Sequence, residues 1–160
     1  MEILDIVNLD DEVVGQAERK EVYEKKHLHR IVHVLVFNDQ GEMAIQKRSA
    51  TVSFCPCHWS TAVGGHVQTG ETYEEAALRE FMEELGIQNQ IEFWRKDFYD
   101  VPNVPNKFIV TYRTVYNGPF NITSEDVAEA RFFPLSKIQK MIEGGEKFHP
   151  ELLFILKKIL

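Results

Sequence analysis

The longest apolar run in the chain is His29 to Phe37 (HRIVHVLVF), β-branched and nearly free of polar residues, as expected of a strand covered on both faces. Ahead of it, apolar runs at residues 3–8 and 12–17 flank the turn-like Leu9-Asp10-Asp11 and predict a hairpin. Residues 19–26 (RKEVYEKK) are charged and predict a helical turn. Behind it, Asn38-Asp39-Gln40-Gly41 reads as a turn, and Glu42 to Lys47 returns as a strand with Lys47 and Arg48 at its exit. Residues 49–58 read as a loop. Trp59 to His66 (WSTAVGGH) reads as a short strand carrying two glycines near its end, where backbone can approach a ligand closely.

The period then changes. Thr72 can cap a helix and Gly86 can stop it in a left-handed conformation, with an interior rich in Ala, Leu, Glu and Met, so a helix is expected over about 72–85. Ala77, Leu78, Phe81, Met82 and Leu85 share one arc and are expected to pack. Arg79, Glu80, Glu83 and Glu84 fall opposite, as a carboxylate cluster.

Residues 91–101 and 107–116 then read as strands joined by a loop with Pro102 and Pro105. Their aromatics (Phe93, Trp94, Phe98, Tyr99, Phe108, Tyr112, Tyr116) suit either a core or a substrate pocket. Asn117-Gly118-Pro119 breaks the chain, and Arg131 to Pro134 gives a last strand. Ser136 is expected to cap a helix that Gly144-Gly145 ends, and Pro150 opens a final helix with Leu152, Leu153, Ile155, Leu156 and Ile159 inward. Strands alternating with one central helix and followed by two more indicate an α/β or α+β domain.

Composition narrows the classes. At 160 residues, 44% hydrophobic and 27% charged, one domain over residues 1–160 is expected, with enough chain to bury a core. There is no apolar run of about 18 residues and the N-terminus MEILDIVNLDDEVV is acidic, so no membrane partner and a cytoplasmic location are expected. A net charge of −7 argues against a nucleic-acid polymer as partner, although free nucleotides remain compatible when a metal bridges the charges. Cys55 and Cys57 are too close together to staple a fold. With His58 they lack a second half-site at zinc-like spacing, so they read as ordinary thiols.

Candidate chemistry centres on the central helix. Glu80 and Glu84 lie one turn apart with Glu83 beside them, and like charges at such spacing cost about 0.2–0.5 kcal/mol per pair. Arg79 alone cannot offset them. A hard divalent cation bound through oxygen is the natural partner, toward which the Gly65 carbonyl could also point; a solvated acidic face is the plain alternative. His29 and His33, in the buried strand, read as satisfied core residues.

The wider stretch, GHVQTGETYEEAALREFMEELGI, spaces Gly65, Glu71, Arg79-Glu80, Glu83-Glu84 and Gly86-Ile87 in the signature of the Nudix hydrolases, which this chain resembles. Phe81 stands where a smaller aliphatic residue is commoner. The resemblance implies an α/β/α sandwich around a mixed sheet. It implies Mg²⁺ (or Mn²⁺) held by Glu80, Glu83, Glu84 and the Gly65 carbonyl, with Arg79 bracing the glutamates and Glu71 ordering the loop and Arg79. It further implies hydrolysis of a diphosphate linkage in a small molecule, a nucleoside diphosphate derivative or related organic diphosphate. Glu83 is the favoured base; Glu125 and Glu129 resemble the position from which some relatives supply another. Lys47 and Arg48 would hold a substrate phosphate and His66 would touch metal or phosphate. A homodimer is a further expectation, since relatives often form one.

The hairpin, His29-Arg30, the Gln-Lys-Arg-Ser at 46–49 and Trp59 resemble, within that family, the branch containing type I isopentenyl-diphosphate isomerase. In that enzyme a catalytic Cys stands where this chain has Gly64, and its box is degenerate where this one is intact. Diphosphate hydrolysis therefore ranks above isomerisation. It also ranks above a non-catalytic binding module, in which box glutamates are usually lost.

Overall fold

The computed structural model describes residues 1–160. Its elements run β1 (Ile3–Val7), β2 (Val13–Glu18), α1 (Arg19–Glu24), β3 (His29–Phe37), β4 (Met43–Arg48), β5 (Trp59–Thr61), β6 (Val63–His66), α2 (Tyr73–Leu85), β7 (Glu92–Tyr99), β8 (Lys107–Val115), β9 (Val127–Phe133), α3 (Leu135–Glu143) and α4 (Pro150–Leu156). β1 and β2 form a separate antiparallel hairpin. The other seven strands make one mixed sheet, ordered β5-β4-β3-β8-β7, with β6 on β3 and β9 on β4. Only β3 and β8 run parallel, from His29↔Lys107 to Phe37↔Val115.

β3 is covered on both sides because its two side-chain rows serve two cores. Val32, Val34 and Val36 join Ala76, Ala77, Phe81 and Leu85 of α2. Leu35, on the other row, joins Met43, Ile45 and Trp59 against Ile138 and Met141 of α3 and Leu152, Ile155 and Leu156 of α4. The result is an α/β/α sandwich around a mixed sheet. Phe81, where a smaller residue was the commoner choice, is fully buried, and truncating it to Ala would cost about 3–5 kcal/mol.

α2 begins and ends as its sequence indicates. Thr72 Oγ1 accepts from the Glu75 N–H at 3.1 Å, the Glu75 carboxylate accepts from the Thr72 N–H at 2.9 Å, and Gly86 closes the helix at φ 68°. Its buried face is rolled by about one residue from the expected arc. Ala76 and Glu80 turn inward, while Leu78 and Met82 are exposed, each at 40%.

Four other expectations differ. Trp59 to His66 is two strands broken at Ala62, since β5 pairs with β4 and β6 with β3. The last strand starts at Val127, so Glu129 lies inside it, opposite Lys47, and only Glu125 precedes it. α3 starts after Pro134, with no side-chain cap, and Ser136 sits in its first turn. Ile159 packs against the core as expected but lies beyond the end of α4, whose first N–H is taken up by the His149 ring, Glu151 N to Nδ1 3.1 Å. No helix in the structure is long and apolar enough to cross a membrane.

Candidate active site

Two adjacent glycines clear space on opposite faces of the sheet. In β6, Gly65 pairs with Val32, whose row faces α2, and Gly64 pairs with His33, whose row faces α4. A Cβ on Gly65 would fall within 3.0 Å of Glu80 Cδ and Oε1; one on Gly64 would meet His33 Nδ1 at 3.0 Å. The glycines thus let the acidic helix and a buried histidine approach the same short segment of backbone.

The acids of α2 divide into buried Glu80, half-buried Glu84 at the cleft and exposed Glu83. Glu80 and Glu84 lie side by side one helical turn apart, and burial raises both carboxyls. Burial raises the Glu84 carboxyl well above the usual carboxylate range, and the neighbouring Glu80 charge raises it further. The Gln46 amide at 2.6 Å and the Gly64 N–H at 3.2 Å only partly offset this. Glu80 is raised too, by burial, against the opposing pull of Arg79. The Glu83 side chain is 57% exposed and turns an oxygen to Arg79 at 3.2 Å. The three carboxylates do not gather as one ready-made metal cluster.

Arg79 organises them with all five of its N–H groups. Nε and Nη2 form a fork on Glu71 at 2.7 and 2.9 Å, Nη1 reaches Glu80 at 2.8 Å and Glu83 at 3.2 Å, and Nη2 also donates to the His66 carbonyl at 3.0 Å. The hydrogen bonds Arg79 donates to Glu71 lead the effects that push the guanidinium above its ordinary value. Glu71 in turn accepts from the Gln68 N–H at 2.8 Å. Despite burial, Arg79 and that amide hold its carboxyl below the usual range. Glu71 therefore joins the turn after β6 to the helix.

A cleft of about 920 Å³ opens beside Gly64, Gly65 and Glu84, and its far wall carries a polar network that sequence reasoning did not assemble. Lys107 Nζ donates to Glu151 Oε2 at 3.0 Å and to Tyr23 OH at 3.4 Å, with the Tyr23 ring 5.4 Å and the Tyr99 ring 5.8 Å away. Lysine has no acceptor, so Tyr23 O receives that proton and its own O–H donates to His66 Nε2 at 2.7 Å. His66 Nδ1 then carries the hydrogen and faces Glu2 at 3.7 Å. Burial pushes His66 well below its ordinary value and His29 and His149 down to about 4, so these three rings are neutral at pH 7. His33 Nε2 lies 3.0 Å from Glu151 Oε1 and its Nδ1 contacts the Thr61 hydroxyl. Although burial opposes it, Glu151 is held well below the carboxylate range by His33 and Lys107; Lys107, also against burial, is raised by Glu151 and Tyr23. Arg19, Lys20 and Arg48 also line the cleft.

The remaining candidates scatter. Arg48 lines the cleft with Nε tied to the Phe54 carbonyl at 3.0 Å, whereas Lys47 lies over the Trp59 ring at 5.6 Å and away from the cleft lining. His66 lines the cleft. Glu125 is exposed, and Glu129 lies 4.0 Å from Arg131; neither lines the cleft. His33, expected only as core, is buried yet borders the cleft, and His29 Nε2 is buried without a hydrogen-bond partner. Cys55 and Cys57 are free thiols.

The donor set suits a hard divalent cation: every candidate group is oxygen, two carboxylates press together, and a backbone without Cβ lies against them. Comparison with known proteins agrees with the fold. The Nudix domain model matches residues 27–153. An uncharacterized Nudix hydrolase of Streptomyces coelicolor is 36% identical over 152 residues, covering 94% of this chain and 83% of the relative. Isopentenyl-diphosphate Delta-isomerase 2 of Photorhabdus laumondii is 30% identical over 149 residues, covering 90% and 84%. The crystal structure of DR0079 from Deinococcus radiodurans superposes with a TM-score of 0.85 at 28% identity, covering 98% of both chains. With the family model spanning the seven-stranded sheet, the acidic helix and the start of α4, the chain belongs to the Nudix family and is a Nudix-type hydrolase.

Proposed function

We propose that this protein uses Mg²⁺ or Mn²⁺ to hydrolyse a phosphoanhydride bond in a small organic diphosphate, such as a nucleoside diphosphate derivative. The observation that carries the reading is the Glu80–Glu84 pair, with buried Glu80 set against Gly65 and half-buried Glu84 held by the Gly64 N–H at the edge of the cleft. Glu80, Glu84 and Glu83, with the Gly65 carbonyl, would hold the cation. When bound, it neutralises the charge of the diphosphate and makes a water easier to deprotonate.

The protein's own groups do the rest. Arg79 and Glu71 hold Glu80 against the glycine turn. Glu83, the most exposed of the three acids, takes the proton of the attacking water, a position of the base that also leaves Glu125 and Glu129 without a role. Arg48, with Arg19 and Lys20 across the mouth, draws the anionic substrate inward, while Lys47 is outside that path. Isomerisation has the support of the isomerase relative but lacks its acid: Gly64 has no thiol, and a side chain there would press on His33.

The test is release of phosphate-containing product from a panel of organic diphosphates with and without Mg²⁺ or Mn²⁺. Metal-dependent turnover that Glu83→Gln reduces is the expected result. Turnover that survives chelation, or double-bond migration in isopentenyl diphosphate without hydrolysis, would overturn the reading.

A further inference from the structure

The far wall of the cleft is unusual for what it buries. The Lys107 and Glu151 side chains are 4% and 16% exposed, they come from β8 and α4, and they meet through a 3.0 Å ion pair. Lys107 has three N–H groups, of which two have protein acceptors; the Glu151 carboxylate, with about four lone-pair sites, receives one hydrogen from Lys107 and one from His33. The wall thus retains both a donor and acceptor capacity beside the cleft. Only six of the 24 lining residues are hydrophobic.

Resting on the hydrolase reading above, we propose that Lys107 and Glu151 are specificity-determining residues that read a hydroxyl-bearing substituent, such as a sugar, attached to the diphosphate. A hydroxyl satisfies both groups at once, accepting from Lys107 and donating to Glu151. A prenyl chain can do neither. Laid against this wall it would strip water from a buried ion pair and return no hydrogen bond, which is the arrangement that makes polar sites reject apolar analogues most strongly.

The geometry also keeps this wall apart from the cleaving groups. Tyr23 and His66 stand between Lys107 and the Arg79 cluster, and neither Lys107 nor Glu151 bonds directly to Glu71, Arg79 or Glu80. The reading of the substituent and the cleavage of the diphosphate are therefore separable by kinetics.

The experiment compares kcat and KM of the Mn²⁺-supplemented protein for ADP-ribose and UDP-glucose with those for geranyl and isopentenyl diphosphate. Lys107→Met, Glu151→Gln and the conservative Lys107→Arg follow on the same panel. The wild type is expected to favour the hydroxyl-bearing pair by about 10²-fold or more in kcat/KM. Lys107→Met is expected to raise KM for that pair about tenfold with kcat little changed, and Lys107→Arg to recover part of the loss. Equal or better use of prenyl diphosphates by the wild type would overturn the proposal whether or not the variants fold, as would a folded Lys107→Met with unchanged discrimination. Absence of hydrolysis for both classes would overturn the hydrolase reading instead. Binding of α,β-methylene-ADP set against a methylene-bridged geranyl diphosphate analogue then decides the specificity proposal separately.

Discussion

Glu80 occupies the space that any side chain on Gly65 would need. A Cβ there would sit within 3.0 Å of Glu80 Cδ and Oε1, closer than real Cβ atoms come to their neighbours. Because Glu80 is also held by Arg79 at 2.8 Å, it has little room to retreat.

Gly65→Ala is therefore expected to push Glu80 out of place and lower turnover by about 10²-fold, the scale of an ångström-level misplacement at a reacting centre. Gly64→Ala, facing the His33 ring at 3.0–3.1 Å on the other side of the sheet, should cost less because an imidazole can shift by a few tenths of an ångström. Kinetics of both variants check the order. Equal activity of Gly65→Ala and wild type would remove Glu80 from the site.

Arg79 uses every donor of a planar fork, and lysine has three donors around a point charge. Arg79→Lys should keep the charge yet lose either the Glu71 fork or the Glu80 and His66 contacts. The expected loss is about 10–100-fold in activity, with a higher metal concentration needed for half-maximal rate. Titrating Mn²⁺ against rate tests it. An unchanged metal requirement would mean that Arg79 does not position the carboxylates.

The helix that carries these acids was legible from its caps, because Thr72, Glu75 and Gly86 act within a few residues of themselves. Its roll was not. A helical wheel weighs Leu78 and Met82 as core, but Glu80 turns inward because Gly64 and Gly65 leave β6 without side chains to cover, and that fact belongs to another element. The far wall was hidden for the same reason. Tyr23, Lys107 and Glu151 lie 44 or more residues from one another and meet only because His29 and Lys107 begin parallel neighbouring strands and α4 folds back over them. The adjacency of Glu151 to Pro150 marked a helix start and nothing about its partner.

Asp11 joins the hairpin to the body of the fold, accepting from Arg30 at 2.7 Å, Lys96 at 2.6 Å and Tyr73 at 2.8 Å. Burial alone would raise its carboxyl, but these donors prevail and hold it below its ordinary 3.8. A carboxyl depressed on folding contributes stability that is present above its unfolded value and is lost as pH falls through the folded one. Asp11→Asn, which also tolerates the positive φ of 59° at this position, should melt lower than wild type at pH 7. The gap should shrink as the pH drops below about 4. Melting curves across pH 2–7 measure it, and a gap that widens toward acid would contradict the ion-pair account.

Metal binding and proton transfer should separate between the Glu80–Glu84 pair and exposed Glu83. A cation that binds only the folded protein raises its stability by about 2.7 kcal/mol at 100 times its dissociation constant, so Mn²⁺ should raise the melting temperature of wild type and a chelator should reverse the rise. Glu84→Gln removes a member of the pair set against Gly64 and Gly65, and should abolish both the rise and turnover. Glu83→Gln leaves that pair intact, because Glu83 points toward solvent with one oxygen on Arg79. It should keep part of the Mn²⁺-induced rise while turnover falls by about 10²–10⁴-fold, the usual range for loss of a general base. If Glu83→Gln lost the rise and Glu84→Gln kept it, the cation would sit on the outer face of α2 and the assignment of the acids would have to be exchanged.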